Sequence, residues 1–388
     1  MSTSWSAPGQ PPPPEPEAPP SPWSAGASEQ ASGAAASPRR YGGAPPGGSP
    51  LQRELVARVP MFPLRPMGLG EVLGAAVRIY RVRPRLVLGL SAVVFGIAFV
   101  LTSLFQGAGM IPTMTQLQVL SDPVADPTAS GVEFSPSEMY AIILSSVAAA
   151  LVSLVATQLV TLVLARITID EAVGTAATQA GMRALLRRRG VAAVLLGLLT
   201  AIVSAIPMVL LPILAGLPLL IVQEAHWWTI APFVLGIVLG LLGTVYVAFR
   251  LLLAVPALAV EPVGPIGALR RSLALTRGRR SLRVLGIGAL VYILYLAAQQ
   301  ALSGVLGTIA AIVYIAILLA TNFSAMVPAM ILMMVISMLG AYLAIILTAP
   351  FLSAGITTLY ADTRMRHEAW DVELNAVAAE ASWEGSAA

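Results

Sequence analysis

The chain has 388 residues, 57% of them apolar and only 11% charged, with a mean hydropathy of +0.82. Soluble domains carry about 25% charged residues, so this chain cannot cover a water-facing surface and its expected solvent is lipid. The lack of cysteine and the presence of only two histidines exclude disulfide frameworks, thiol nucleophiles and the common zinc ligand sets. A pI near 9.7 would point to nucleic acid in a soluble protein, but here the location of the charge decides, and no nucleic-acid partner is expected.

Residues 1–63 read as a disordered Pro/Gly/Ala-rich cytoplasmic tail. Residues 1–50 hold 13 prolines and 7 glycines, with runs such as "PPPPEPEAPP" and no block that could serve as a signal-peptide core. Two readings stay open for this tail, a docking strip for protein partners and a solvated spacer.

From about residue 64 the character changes. Residues 86–105, "LVLGLSAVVFGIAFVLTSLF", form a charge-free run that spans a bilayer at 1.5 Å per residue. Further spans are expected at 140–165, 191–212, 231–249, 284–306 and 326–349. Pro207, Pro212 and Pro218 turn 191–222 into a kinked helix followed by a short apolar turn. Residues 284–321 fit either one long helix with a dipping segment or two short helices. Arginine placement decides for six spans, because arginine-rich flanks stay in the cytoplasm. Nine arginines precede the first span, five lie at 166–189, seven at 250–283 and two at 364–366, which accounts for all of them. A seventh span would carry Arg364 and Arg366 outside. The loop at 106–138 holds four acidic residues and no arginine, and Trp227 and Trp228 sit where an outer aromatic belt belongs. Residues 64–370 are thus the membrane domain and 371–388 a flexible cytoplasmic tail, with both termini inside. Every cation is arginine, and with the high Ala, Gly and Pro content this resembles GC-rich bacterial coding, so the expected location is a bacterial inner membrane.

Ahead of the odd-numbered spans the sequence reads "EVLG" at 71, "EAVG" at 171 and "EPVG" at 261, each followed by a helical stretch and a basic cluster, which indicates an internal repeat. Apolar stripes recur at helical spacing: Leu69, Val72, Leu73, Ala76 and Tyr80; then Ile169, Val173, Ala176, Ala177 and Ala180; then Ile266, Leu269 and Leu273, with Pro265 suited to a first turn. A helix apolar on one side and basic at its end suits the membrane interface. The expected fold is all-α: six transmembrane helices as three hairpins, each preceded by an amphipathic interfacial helix.

The segments "RPMGLGEVLGAAVRIYRVRPRLVLGL" at 65–90, "FRLLLAVPALAVEPVGPIGALRRSLALTRGRRSLRVLG" at 249–286 and "APFLSAGITTLYADTRMRHEAWDVEL" at 349–374 resemble the membrane domain found with glycerophosphoryl diester phosphodiesterases and its stand-alone bacterial relatives. The resemblance brackets about four fifths of the chain. In some members, the resemblance implies, the membrane part is fused to a hydrolytic barrel that uses metal, histidine and carboxylates. These 388 residues hold no segment that could form it, so no enzymatic activity and no cofactor are expected.

The basic clusters Arg187, Arg188 and Arg189 and Arg270, Arg271, Arg277, Arg279 and Arg280 are either topology determinants or contacts to anionic lipid headgroups, each contributing about 1 kcal/mol near such a surface. Arg250 is the one charge that could lie inside a span; it either meets a substrate anion there or snorkels at the cytoplasmic edge, with Pro256 marking a bend. Gln158, Gln299, Gln300 and Asn322 either line a pathway or hydrogen-bond between helices. His226 has no second ligand nearby, and no metal is expected. Glu71, Glu171, Glu261 and Asp362 are the carboxylates a membrane enzyme would have to gather; the alternative is helix capping and pairing with arginine. The expected role is a non-catalytic membrane scaffold or lipid-contacting module. The alternative is a transporter or channel for a small or amphiphilic, phospholipid-derived solute, which would gather Arg250 with Gln158, Gln299 or Gln300 in one polar cavity.

Overall fold

The computed structural model describes residues 61–121, 135–175, 177–224, 226–278 and 280–387. Among them are ten helices and no strand: α1 Leu69–Val82, α2 Pro84–Ser121, α3 Pro136–Val173, α4 Gln179–Val222, α5 Trp227–Arg250, α6 Ala254–Val260, α7 Pro265–Leu275, α8 Arg280–Ala320, α9 Met326–Glu368 and α10 Trp370–Ala387. The helices α2, α3, α4, α5, α8 and α9 are long and apolar enough to cross a membrane. The chain is a multi-pass membrane protein. Its helix–helix packing is heaviest between chain neighbours, α2 with α3, α4 with α5 and α8 with α9.

Local chemistry sets the helix ends. Ser135 caps α3, its hydroxyl accepting from the Glu138 N–H while the Glu138 carboxylate accepts from the Ser135 N–H at 2.8 Å. Gly174, at φ +86°, stops α3 in the left-handed region that favours glycine. Thr178 caps α4 through the Gly181 N–H, and Pro265 occupies the first turn of α7, as its fixed φ suits.

Several expectations change here. The stretch from Ile169 to Ala180 is not one interfacial helix, because Gly174 and Thr178 divide it between the end of α3 and the start of α4. Residues 191–222 do not end in a turn: α4 runs 44 residues through all three prolines. Residues 284–320 lie within one 41-residue helix. Residues 371–387, expected as a flexible tail, are helical in α10, and the expected tail at 1–63 ends earlier, since Met61 and Phe62 are buried. Residues 1–60 lie outside the described residues.

The prolines of α4 persist because α5 gives them room. A Cβ on Gly236 would stand 2.6 Å from the Ala215 Cβ and 2.9 Å from the Leu211 carbonyl, and one on Gly240 would meet the Pro207 carbonyl at 3.1 Å. Side chains there would push the two helices apart. At 41 to 44 residues, α4, α8 and α9 measure roughly 60–66 Å, about twice a bilayer's apolar thickness. Part of that surplus is charged: Arg183 to Arg189 lie near the start of α4, Arg280 and Arg283 open α8, and Asp362 to Glu368 close α9.

The buried core lies toward that charged end. It joins Val72, Ala75 and Ile79 of α1, the run from Leu162 to Ala165 of α3, Leu253 to Ala259 around α6, and Ala354 to Ala361 of α9. Elsewhere α4, α5 and α8 leave their leucines and isoleucines uncovered by protein, as lipid-facing helices do. Of the stripe predicted on α1, Val72 and Ala76 are buried at 0% exposure on a helix that packs against α9, Leu73 and Tyr80 are half-buried, and Leu69 is 44% exposed. On α7 the predicted stripe faces the other way: Ala268, Ser272 and Leu275 are buried, whereas Ile266 and Leu273 are exposed.

Candidate functional site

The last turns of α9 place Asp362 in the core at 1% exposure. A buried carboxylate must be paired and hydrogen-bonded. Its Oδ1 accepts from the Met67 N–H at 2.7 Å and from Arg366 Nε at 2.9 Å, and its Oδ2 faces Arg283 at 3.2 Å. Both guanidiniums also donate to the Met67 carbonyl. One carboxylate thus ties the segment before α1, the start of α8 and the end of α9.

Beside it lies a second knot. Glu261, between α6 and α7, accepts from Arg271 at 2.8 Å and from the Tyr360 hydroxyl, and faces Arg364 at 3.7 Å. Arg271 and Arg364 share Glu368, and Arg364 lies over the Trp370 ring at 4.1 Å. Two cations balance two anions. Burial opposes the charge on Arg271, but its hydrogen bonds to Glu261 and Glu368 outweigh that and hold it above the ordinary guanidinium value.

A third knot joins Arg83, just before α2, to Glu171 in the last turn of α3 at 2.9 Å, an ion pair without hydrogen-bond alignment. The three span pairs share a plan. Arg83 precedes α2 and reaches the end of α3. Arg189, near the start of α4, donates to the carbonyls of Leu258 and Glu261 beyond α5. Arg283 opens α8 and reaches Asp362 near the end of α9. In each case an arginine at the first end of a span pair clasps its last end, so these ends meet at the charged side of the molecule. The sequence repeat is looser than this. Glu71 sits in the first turn of α1 and accepts from the Gly68 N–H, Glu171 closes α3, and Glu261 follows α6. First-turn capping therefore holds for Glu71 alone.

A further link crosses to α9 where Pro350 interrupts its ladder. The Tyr80 hydroxyl accepts from the Phe351 N–H at 3.0 Å and donates to the Leu347 carbonyl, a side chain inserted at a proline. Burial pushes this phenol up to about 12, with the Phe351 N–H pulling the other way.

The basic residues singled out in the sequence fall into two sets. Arg189 and Arg271 are internal. Arg187, Arg188, Arg270 and Arg277 are exposed and have no side-chain partner among the described residues. Arg279 lies outside the described residues, and of Arg280 only the backbone is described. Arg250 donates to the Leu273 carbonyl at 3.2 Å and contacts Thr276, so it serves the α5–α7 junction; the chain bends at Leu251–Leu253, and Pro256 lies inside α6.

The glutamines do not join it. Gln158 packs against Gly197 with its Oε1 buried and unpartnered, Gln300 is exposed, and Gln299 lines a cavity of about 240 Å³ between α2, α3, α8 and α9. Asn322 lies in the turn after α8 at φ +48°. A cavity of about 460 Å³ at the start of α4 is lined by Arg166, Asp170, Arg188 and Arg189. Another of about 750 Å³ lies among Arg65, Arg83, Glu171 and Asn375. Glu71, Glu171, Glu261 and Asp362 each pair with their own arginines, and no group of three metal-ligating side chains gathers among the described residues.

Comparisons of the chain with protein-family models, curated proteins and solved structures find no match.

Proposed function

We propose that this protein is a non-catalytic membrane scaffold whose charged face contacts anionic lipid headgroups at the cytoplasmic side of a bacterial inner membrane. The observation that carries this reading is the outward face of α7. Ile266 and Leu273 are 61% and 40% exposed on the same short helix as Arg270, which has no side-chain partner among the described residues, with Arg277 just beyond its end. Apolar side chains beside free guanidiniums are what an interfacial helix presents to acyl chains and phosphate oxygens. Arg187 and Arg188 extend the same charge along α4, which packs against α7. The arginines inside the clasps cannot serve, because carboxylates and carbonyls already hold them. The resemblance of residues 65–90, 249–286 and 349–374 to the glycerophosphoryl diester phosphodiesterase membrane domain supports a role beside lipid substrates or products without supplying chemistry of its own.

Native mass spectrometry from nanodiscs containing phosphatidylglycerol tests this. Arg270→Gln with Arg277→Gln is expected to lower the number of retained phosphatidylglycerol molecules several-fold, since each basic residue contributes about 1 kcal/mol, while phosphatidylcholine retention stays as it was. Equal retention of both lipids by wild type and variant overturns the headgroup reading.

A further inference from the structure

Among the described residues, four that are not glycine have positive φ, and Ala369, at +50°, is the one with helix directly on both sides of it. Nothing in its own chemistry ends a helix there. Alanine is the best helix former, no glycine or proline lies within ten residues on either side, and the left-handed region is costly for a residue that carries a Cβ. Local preference is therefore for one helix running from α9 into α10. The break at Ala369 is imposed by what α10 touches.

Those contacts lie on one face. Trp370 and Leu374 are each 5% exposed, and Ala378 continues their face one turn on. The Arg364 guanidinium covers the Trp370 ring at 4.1 Å, and the Tyr360 ring meets it edge-on at 6.1 Å. Asn375 donates to the Leu64 carbonyl at 3.2 Å. Asn375 and Ala378 also line the cavity of about 750 Å³ together with Arg83 and Glu171. Away from this face Val372 and Val377 are exposed. A short strip of side chains thus holds α10 over the cavity, against a joint that prefers to be straight.

We propose that α10 is a hinged lid over this cavity, with Ala369 as its pivot. Closed, Ala369 is left-handed, Trp370 lies under Arg364 and Asn375 bonds Leu64. Open, Ala369 takes helical angles, α9 and α10 join in one helix, and Trp370 and Leu374 withdraw from the core. At 1.5 Å per residue Glu380 then stands roughly 18 Å beyond Glu368 along the α9 axis, and the Arg83–Glu171 pair is uncovered. The two states differ in the backbone of a single residue at the end of an element, which is where hinges absorb their change. The lid rests on the contacts of α10 and does not depend on lipid at α7.

Cysteine accessibility of the full chain in nanodiscs tests the lid, since the native chain has no cysteine. Leu374→Cys reports opening, because that side chain is buried while the lid is closed; Val377→Cys, at an exposed position of the same helix, is the control. Ala369→Gly favours the closed state twice over, by removing the left-handed cost and by weakening the continuous helix. At about fivefold for each effect, it should slow labelling of Leu374→Cys about twenty-five-fold. Trp370→Ala removes the main anchor and should speed that labelling about tenfold or more, while Val377→Cys reacts alike in every background. Spin-label distances between Gln179→Cys and Glu380→Cys should then show, in Trp370→Ala, one narrow peak longer than in wild type, as a rigid straight helix gives. Labelling of Leu374→Cys unchanged by both substitutions, or a broad distance distribution showing that α10 unravels instead of swinging, would overturn the proposal.

Discussion

Replacing Asp362 with asparagine tests the architecture of the charged end most directly. The substitution keeps the shape of the side chain and one acceptor for the Met67 N–H, but removes the charge and the second acceptor that face Arg366 and Arg283. Breaking a fully buried ion pair from one side costs about 3–5 kcal/mol. Here the arginine side chains are 33% and 43% exposed, so water relieves part of that loss, and about 2–4 kcal/mol is expected. Because the carboxylate is the buried member, the order should be Asp362→Asn, then Arg366→Gln at about 1–2 kcal/mol, then Arg283→Gln at about 1 kcal/mol or less. The assay is unfolding in mixed micelles, followed by the fluorescence of Trp370 with the chain's other five tryptophans replaced by phenylalanine. Hydrogen exchange at Met67 gives a local readout, since Asp362 accepts from that amide. The reasoning fails if Asp362→Asn unfolds within about 0.5 kcal/mol of wild type, the size of an unremarkable surface change, and leaves Met67 exchange untouched.

Tyr80→Phe should cost about 1–3 kcal/mol, because it strands the Phe351 N–H and the Leu347 carbonyl beside Pro350. A phenol whose folded value is raised to about 12 contributes fully below its ordinary value of 10 and progressively less as pH climbs toward 12. Wild type should therefore lose more thermal stability than Tyr80→Phe between about pH 10 and 12. Gly236→Ala brings its new Cβ within 2.6 Å of Ala215 and should destabilise the α4–α5 contact by about 1–3 kcal/mol, visible as a weaker crosslink between cysteines placed on the two helices. The native chain has no cysteine, so Ala184→Cys and Arg277→Cys, both at exposed positions, can be labelled singly. Both should react with an impermeant thiol reagent only from the cytoplasmic side, and labelling of either from the opposite face would invert the topology.

The spans are legible because a charge-free run of twenty or more residues is too long and too uniformly apolar to give a water-facing helix its polar side. Span length is not. Pro207, Pro212 and Pro218 read as stops by the rules of water-soluble helices. Among apolar neighbours no water competes for the freed carbonyls, and the glycine face of α5 accepts the bulge, so α4 continues through all three. The division at Gly174 is present in the sequence as a glycine after an apolar run, yet the apolar spacing carries across it to Ala180 and hides the cap. On α1 only part of the predicted stripe, Val72 and Ala76, is fully buried. Periodicity reports that a face is apolar and not what covers it, and here the cover is α9 rather than lipid.

The arginines carry the same ambiguity in sharper form. A topology rule counts Arg187, Arg188, Arg189, Arg270 and Arg271 alike, because each favours the cytoplasmic side equally. Structure separates them by partner, and the partners are remote in sequence: Arg283 and Asp362 are 79 positions apart. No local pattern encodes such a pair. Yet the pairing follows from physics that acts on every span pair. Helices in lipid gain little hydrophobic drive to associate, and a span pair returns to the charged side with a carboxylate or bare carbonyls at its last end. An arginine at its first end meets whichever of the two is there: Glu171 for Arg83, the Leu258 and Glu261 carbonyls for Arg189, and Asp362 for Arg283. The clasps therefore account for a guanidinium at the start of each span pair, while Arg187, Arg188, Arg270 and Arg277 have no side-chain partner among the described residues.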